Sequence, residues 1–144
     1  MASLTSIRNG LETRLATISG LEVFDRIPDQ IEAFPAAVVA PPEGELFWQY
    51  DQALGQAVAD LITLAVRVFV GRVDAEHAQT QLDAFIASSG ASSVRVAIEG
   101  DRTLGGACDT LSVTGARRYG AYSVGDAGIQ LLGVEFLVTI VTSS

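Results

Sequence analysis

The sequence predicts an α+β domain: a largely antiparallel or mixed sheet with helices packed on one face. Three observations predict it. Two apolar stretches, 59–72 and 128–142, are each about twice the usual strand length of ~5–6 residues. Other segments carry apolar residues at helical spacing instead. The resulting order, α-β-β-β-β-α-α-β-β, shows no repeat and no linker, so residues 1–144 read as one domain around one core.

Leu4, Ile7, Leu11, Leu15 and Ile18 form a stripe that predicts a helix over 4–18. Ser3 or Thr5 suits its cap, and Gly20 suits the position past its end. Residues 21–27 read as a short strand stopped by Pro28, and 28–34 as polar and irregular. Residues 36–40 form a second short strand between Pro35 and Pro41-Pro42. Proline cannot donate to a ladder, which predicts an edge strand or a boundary there. Residues 45–51 read as a strand flank leading into a loop near 52–56.

In the long stretch 59–72, Ile62, Leu64, Val66, Val68 and Val70 alternate onto one face, the predicted core face. Leu61, Thr63, Ala65, Arg67 and Phe69 make a mixed, partly covered face. Asp74 suits the cap of a second helix whose inner stripe is Ala75, Ala78, Leu82, Phe85 and Ile86, ended by Gly90. Ser92 or Ser93 suits the cap of a short third helix with Val94, Ala97 and Ile98 inward. A strand competes there, because Val94, Val96 and Ile98 also alternate. Residues 109–118 read as a half-exposed strand, 119–128 as a glycine-rich loop or hairpin tip, and 129–142 as the last strand. That last strand is apolar on both faces except for Gln130, Glu135 and the threonines.

Catalytic hardware is sparse. The chain has one histidine, one cysteine and no lysine. His77 has no second ligand of its kind and reads as an exposed helix residue; no metal site, cofactor site or catalytic residue is predicted. Cys108 reads as a small buried residue rather than a reactive thiol. Glu43/Glu45 and Glu99/Asp101 are better read as solvated carboxylates than as an acid–base pair. The stretch 100–106 has the glycines of a phosphate loop without its Gly-Lys-Ser/Thr. Asp101, Arg102, Gly105 and Gly106 therefore read as a structural turn.

The net charge is −8 and the nine arginines are scattered, which argues against a surface that grips phosphates. The N-terminus lacks the basic-then-apolar pattern of a signal peptide, and no run approaches the ~20 apolar residues of a membrane span. Two aromatic sets suit protein contacts as well as they suit a core: Phe47, Trp48 and Tyr50 beside acidic residues, and Arg117, Arg118, Tyr119 and Tyr122 around the predicted tip. The tip, 117–126, is expected to be an assembly contact that folding does not need.

Three stretches together resemble the tail terminator proteins of long-tailed (siphovirus) actinobacterial phages. They are Ile27-Pro28-Asp29 with Phe34-Pro35-Ala36-Ala37-Val38-Val39 and Pro41-Pro42, Val68–Arg72 with Ala78-Gln79 and Leu82–Phe85, and Ser92–Val94 with Ala97–Glu99 and Asp101–Gly106. The likeness runs from about residue 4 to 140 and lies in overall pattern. The resemblance implies a structural virion protein without catalytic residues. It implies a ring, of six subunits, capping the head-proximal end of the tail tube and ending its polymerisation. The implied partners are further copies of the chain, the major tail tube protein and the head-neck connector or stopper. The resemblance further implies that DNA passes through the lumen without specific binding. The implied location is the head–tail junction of the virion, and the host cytoplasm during assembly. Six copies at −8 give −48, a charge along which DNA would slide. Two other readings stay open: another neck, head-closure or tail-completion ring protein, and a small ligand-binding domain or enzyme, which predicts a pocket of convergent polar groups.

Overall fold

The computed structural model describes residues 3–24, 34–44, 46–50, 59–72, 77–124 and 129–142. Its elements follow the predicted order: α1 (Leu4–Leu15), β1 (Glu22–Phe24), β2 (Ala36–Ala40), β3 (Trp48–Gln49), β4 (Asp60–Arg72), α2 (Ala78–Ile86), α3 (Val94–Glu99), β5 (Thr110–Val124) and β6 (Ile129–Thr142). A single 3-10 turn, Leu104–Gly106, stands between α3 and β5. The fold is a single α+β domain.

One six-stranded sheet runs in the order β1-β2-β4-β6-β5, with β3 also on β4. Among the described strands only the β1–β2 pair is parallel. The alternation in β4 sets which face the helices cover. Ile62, Leu64, Val66 and Val68 are fully buried, and Val134, Phe136, Val138 and Ile140 of β6 lie on the same side. Ile7, Leu11 and Leu15 from α1, Leu82 and Phe85 from α2, and Val94 and Ile98 from α3 pack onto them. Each such side chain contributes about 1.5–3 kcal/mol by leaving water. All three helices lie on this face.

Local chemistry explains the helix boundaries. Ser3 Oγ accepts the N–H of Ser6 at 3.1 Å and caps α1. Ser93 Oγ accepts the N–H of Val96 at 3.2 Å and caps α3, which decides the 94–98 ambiguity for a helix. Val96, which a strand would have turned inward with Val94 and Ile98, is exposed. The predicted cap Asp74 and Ala75 lie outside the described residues. His77 holds the N-cap position of α2 at φ +69° without a side-chain capping bond, and α2 ends at Ile86, before Gly90. Arg14 Nε donates to the Ala97 carbonyl at 2.8 Å and ties α1 to α3.

Two expectations need correction. Of the two readings of the prolines around β2, the boundary holds and the edge strand does not: β2 lies between β1 and β4, and all five residues are buried. Pro35 and Pro41 stand just outside it, so every residue within keeps its N–H for the ladders. The second concerns the glycine-rich tip at 119–128. Strand β5 continues through Tyr119, Gly120 and Tyr122 to Val124, and 125–128 lie outside the described residues. Here glycine in a strand pattern marks a bulge, not a turn. The ladder register slips between Arg117 and Gly120.

The strands β2 and β3 share one edge of β4. Ala36–Ala40 match Phe69–Ala65, and Trp48–Gln49 match Ile62–Leu61 further along. Residues 41–44 after β2 leave the ladder, and the Phe47 carbonyl, just before β3, accepts the Thr63 N–H at 2.7 Å. This excursion carries Glu43.

Where α1 meets the 3-10 turn, a Cβ on Gly10 would stand 2.8 Å from the Cβ of Leu104. Alanine for glycine inside a helix ordinarily gains about 1 kcal/mol. At Gly10 overpacking of about 1–3 kcal/mol should exceed that gain. Gly10→Ala should therefore unfold at lower urea than wild type, whereas Asn9→Ala, on the exposed side of the same helix, should not. A more stable Gly10→Ala protein would show that α1 does not dock on the turn this closely.

Candidate functional site

The face of the sheet opposite the helices carries a charged cluster on an apolar floor. Glu135, in the middle of β6, is completely buried. Register places Arg67 of β4 directly beside it on one side and Arg117 of β5 on the other. Arg67 Nε donates to Oε2 at 2.9 Å, and Arg117 Nε donates to Oε1 at 2.6 Å. Both carboxylate oxygens are thereby engaged. Burial by itself pushes the Glu135 carboxyl up; the hydrogen bonds from Arg117 and Arg67 outweigh it and hold the group below the ordinary glutamate value.

A third arginine reaches the same carboxylate against the alternation of the strand. In a regular strand Arg117 and Arg118 would point to opposite faces. Between Arg117 and Gly120 the strand β5 gains one residue relative to β6, and Arg118 takes φ +56°. A left-handed conformation costs a non-glycine residue about 1–2 kcal/mol. It brings Arg118 Nη1 to 3.9 Å from Glu135 Oε2. Tyr122 supports this arginine: its hydroxyl donates to the Arg118 carbonyl at 2.7 Å, and its ring lies 5.1 Å from the guanidinium carbon. The ring also meets Phe69 edge-on at 5.3 Å, beside Val38 and Leu131 in a second small apolar cluster. Burial raises the Tyr122 hydroxyl above its ordinary value.

Glu43, on the 41–44 excursion, closes the cluster from above. Its Oε2 lies 3.4 Å from Arg118 Nη1 and its Oε1 lies 3.8 Å from Arg67 Nη2. The Glu43 side chain is 72% exposed, against 14% for Arg67.

Of the residues singled out in the sequence, Arg117, Arg118 and Tyr122 meet in this cluster. Tyr119 does not: it faces the helix side, where its hydroxyl donates to Asp83 at 3.0 Å. The expectation that 117–126 is a loop dispensable for folding is overturned for 117–124, because Arg117 pairs with a buried carboxylate and Tyr122 packs on Phe69. Trp48 and Tyr50 touch each other with ring centroids 6.4 Å apart, and Trp48 Nε1 donates to Asp60 at 3.1 Å. They and Phe47 lie near Ile62, five residues along β4 from Arg67, or about 17 Å at strand rise. Leu46 and Tyr50 are exposed there. The two aromatic sets are thus separate places on the molecule.

Asp101, Arg102, Gly105 and Gly106 form the predicted turn. The Asp101 carboxylate accepts from Thr103 Oγ1 at 3.0 Å, the Thr103 N–H at 3.2 Å and the Gly105 N–H at 3.0 Å, and these bonds lower its pKa. Arg102 donates to Glu99 at 3.0 Å, and Glu99 in turn accepts the Val113 N–H at 2.9 Å, covering the start of β5. Cys108 is buried, and burial first, then Asp109 and Asp101, raises its thiol. A groove of about 460 Å³ runs between α1 and the turn, lined by Ser6, Asn9, Thr13, Gly105 and Gly106 among others, with no titratable side chain in its lining.

Sequence reasoning missed Arg67, Glu135 and Glu43 as a group. The available signal was the lone carboxylate in the apolar run of β6. A buried glutamate requires cationic partners, and Arg67 is the only cation in the interior of the other long apolar stretch. Compared with known proteins, the chain matches no family profile and no curated protein.

Removing one partner of a buried ion pair leaves an unpaired charge, at about 3–5 kcal/mol. Glu135→Ala should lose stability on that scale in urea unfolding, while Glu43→Ala, at the exposed rim, should unfold near wild type. The pH dependence follows from the lowered Glu135 pKa. The folded value lies below the unfolded one, so the group's contribution is present above about pH 4.5 and disappears as the pH falls through the folded value. Stability curves of wild type and Glu135→Gln should therefore converge in acid. Parallel curves from about pH 7 to pH 3 would show that Glu135 is not held as an ion.

Proposed function

We propose that this chain is a structural subunit of a phage particle, a tail terminator whose ring caps the head-proximal end of the tail tube. The observation that carries the proposal is the sheet face opposite the helices. Helices occupy one side, and the other presents a cationic cluster, supported by an apolar floor, toward solvent. Such a face suits contact with another protein surface better than it suits a reaction. The resemblance noted in the sequence adds a fold expectation, an α+β domain, which the chain meets. Apart from Ile27–Asp29, which lie outside the described residues, its stretches lie on connected elements: Ala36–Val39 in β2, Val68–Arg72 in β4, Leu82–Phe85 in α2, Val94–Glu99 in α3, and the Asp101 turn.

The long edge strand β5 supports the same reading. Among the described strands the fifteen-residue β5 has a neighbour on one side only, and an edge of this kind invites pairing with another chain. Its first part is covered by Glu99 and by Arg102, which donates to the Leu111 carbonyl at 3.4 Å. Its bulges at 113–115 and 117–120 bend the rest. The partners in this reading are other copies of the chain, the tube protein and the head-neck connector, with DNA in the lumen.

A tube end that is never capped keeps offering the surface on which it grew, and a non-closing contact of this kind grows without limit. Deleting the gene should give overlong tails lacking heads, visible by negative-stain microscopy. Labelled protein should map to the head–tail junction of intact particles. Deletion tails of normal length that fail to join heads would assign the chain to the neck instead, and a label found elsewhere on the particle would end the proposal.

A further inference from the structure

We propose that Arg67 and Arg118 form a receptor for a carboxylate of a second copy of this chain, and that Glu43 occupies it in the free subunit. This rests on the reading of the chain as an assembling subunit. The argument starts from which arginine nitrogens are used. Glu135 engages Arg67 and Arg117 through their Nε atoms. Arg67 Nη2 is then left buried with no hydrogen-bond partner. An orphaned donor of this kind is costly, and more so when charged.

On the solvent side an anion, Glu43, stands 3.8 Å from it. That side chain straddles Arg67 and Arg118, one oxygen to each, at 3.8 and 3.4 Å. A charge-assisted bond between these groups closes to about 2.7–2.9 Å. Glu43 therefore neutralises the site without completing it. It stands on an excursion out of the β2–β3 edge, next to Gly44 at φ +74°, and is mostly exposed. A carboxylate approaching from solvent can take its place.

Charge complementarity names the occupant. The chain carries 17 acidic against 9 basic residues, so two copies repel over most of their surfaces. Three of the nine arginines meet here around one buried carboxylate. Elsewhere among the described residues Arg95 and Arg102 are spent on Glu99, and Arg14 on a backbone carbonyl. When Glu43 swings away, three guanidiniums face one carboxylate, a local excess of positive charge on an acidic protein. An acidic side chain of another copy is the complement that every copy supplies. The left-handed bulge has a use in this reading, since it turns Arg118 onto the receptor face.

The test is self-association of the full chain, followed by sedimentation across protein and salt concentration. Glu43→Ala should melt near the wild-type temperature and associate at about tenfold lower concentration, the effect of one charge-assisted bond, with high salt reversing the gain. Adding Arg118→Gly, which keeps the left-handed backbone without strain, should cancel the gain. Association unchanged or weakened in Glu43→Ala overturns the receptor. So do wild type and Glu43→Ala that both stay monomeric to millimolar concentration, and that result leaves the head–tail reading to its own imaging test. A Glu43→Ala protein whose melting temperature rises with millimolar succinate or inorganic phosphate, without associating, would assign the pair to a free anion and overturn the second copy as occupant.

Discussion

The face of the sheet opposite the helices depends on one buried carboxylate. Glu135 is enclosed in the middle of β6, and an ionised group there is tolerated only because two guanidiniums meet it at 2.9 and 2.6 Å. Those bonds require Arg67 and Arg117 to lie on the two strands flanking β6, each directly opposite Glu135. Three strands are thereby held in one register by a single side chain. The small residues nearby fit this requirement. Gly133 lies so close to the Phe69 ring and the Val68 carbonyl that a Cβ would stand 2.7 and 2.8 Å from them. The backbones must therefore approach closely just beside the ion cluster.

The two faces of the sheet are stabilised by different physics. On the helix side, α1, α2 and α3 remove large aliphatic side chains from water, a contribution proportional to area and indifferent to small changes of angle. On the other side, hydrogen bonds between charged groups depend strongly on distance and direction. Tyr122 joins the two kinds. Its ring packs on Phe69, and its hydroxyl holds the Arg118 carbonyl at the bulge where the strand leaves its regular path. A face built this way is rigid at its floor and chemically unfinished beneath its rim, where the buried Arg67 Nη2 remains without a hydrogen-bond partner.

Much of the scaffold was legible in the sequence because it is encoded by local periodicity. The α1 stripe, the five residues of β2 between prolines, the alternating face of β4 and the span of β6 all appear as read. The Ser93 cap also carried the information that separates α3 from a strand. The cluster was legible only in fragments. Glu135 stood out as a lone charge and Arg67 as an interruption, but their meeting depends on β4 and β6 being neighbours in a given register, which no local window contains. The bulge at Arg118 was invisible for another reason. Arginine gives no hint of φ +56°, and the glycine at 120 that accompanies it suggests a turn as readily as a bulge. Glu43 lies 24 residues from Arg67 in sequence and reaches it through an excursion whose path has no periodic signature.

Stability alone does not explain why such a cluster is kept. Replacing a buried ion network with well-packed apolar residues is often neutral or stabilising. What the apolar alternative would lose here is register. Beyond Glu135 and Gln130, β6 carries apolar or hydroxyl residues on both faces, so burial would constrain its slippage against β4 only weakly. A shift of one residue would turn Glu135 toward the helix-covered core, away from both arginines, at the cost of an unpaired buried charge. The cluster thus specifies one alignment of β4, β6 and β5 where the aliphatic pattern leaves several nearly equivalent. The same alignment sets Arg67 and Arg118 side by side at the surface, so register and the receptor site follow from one carboxylate.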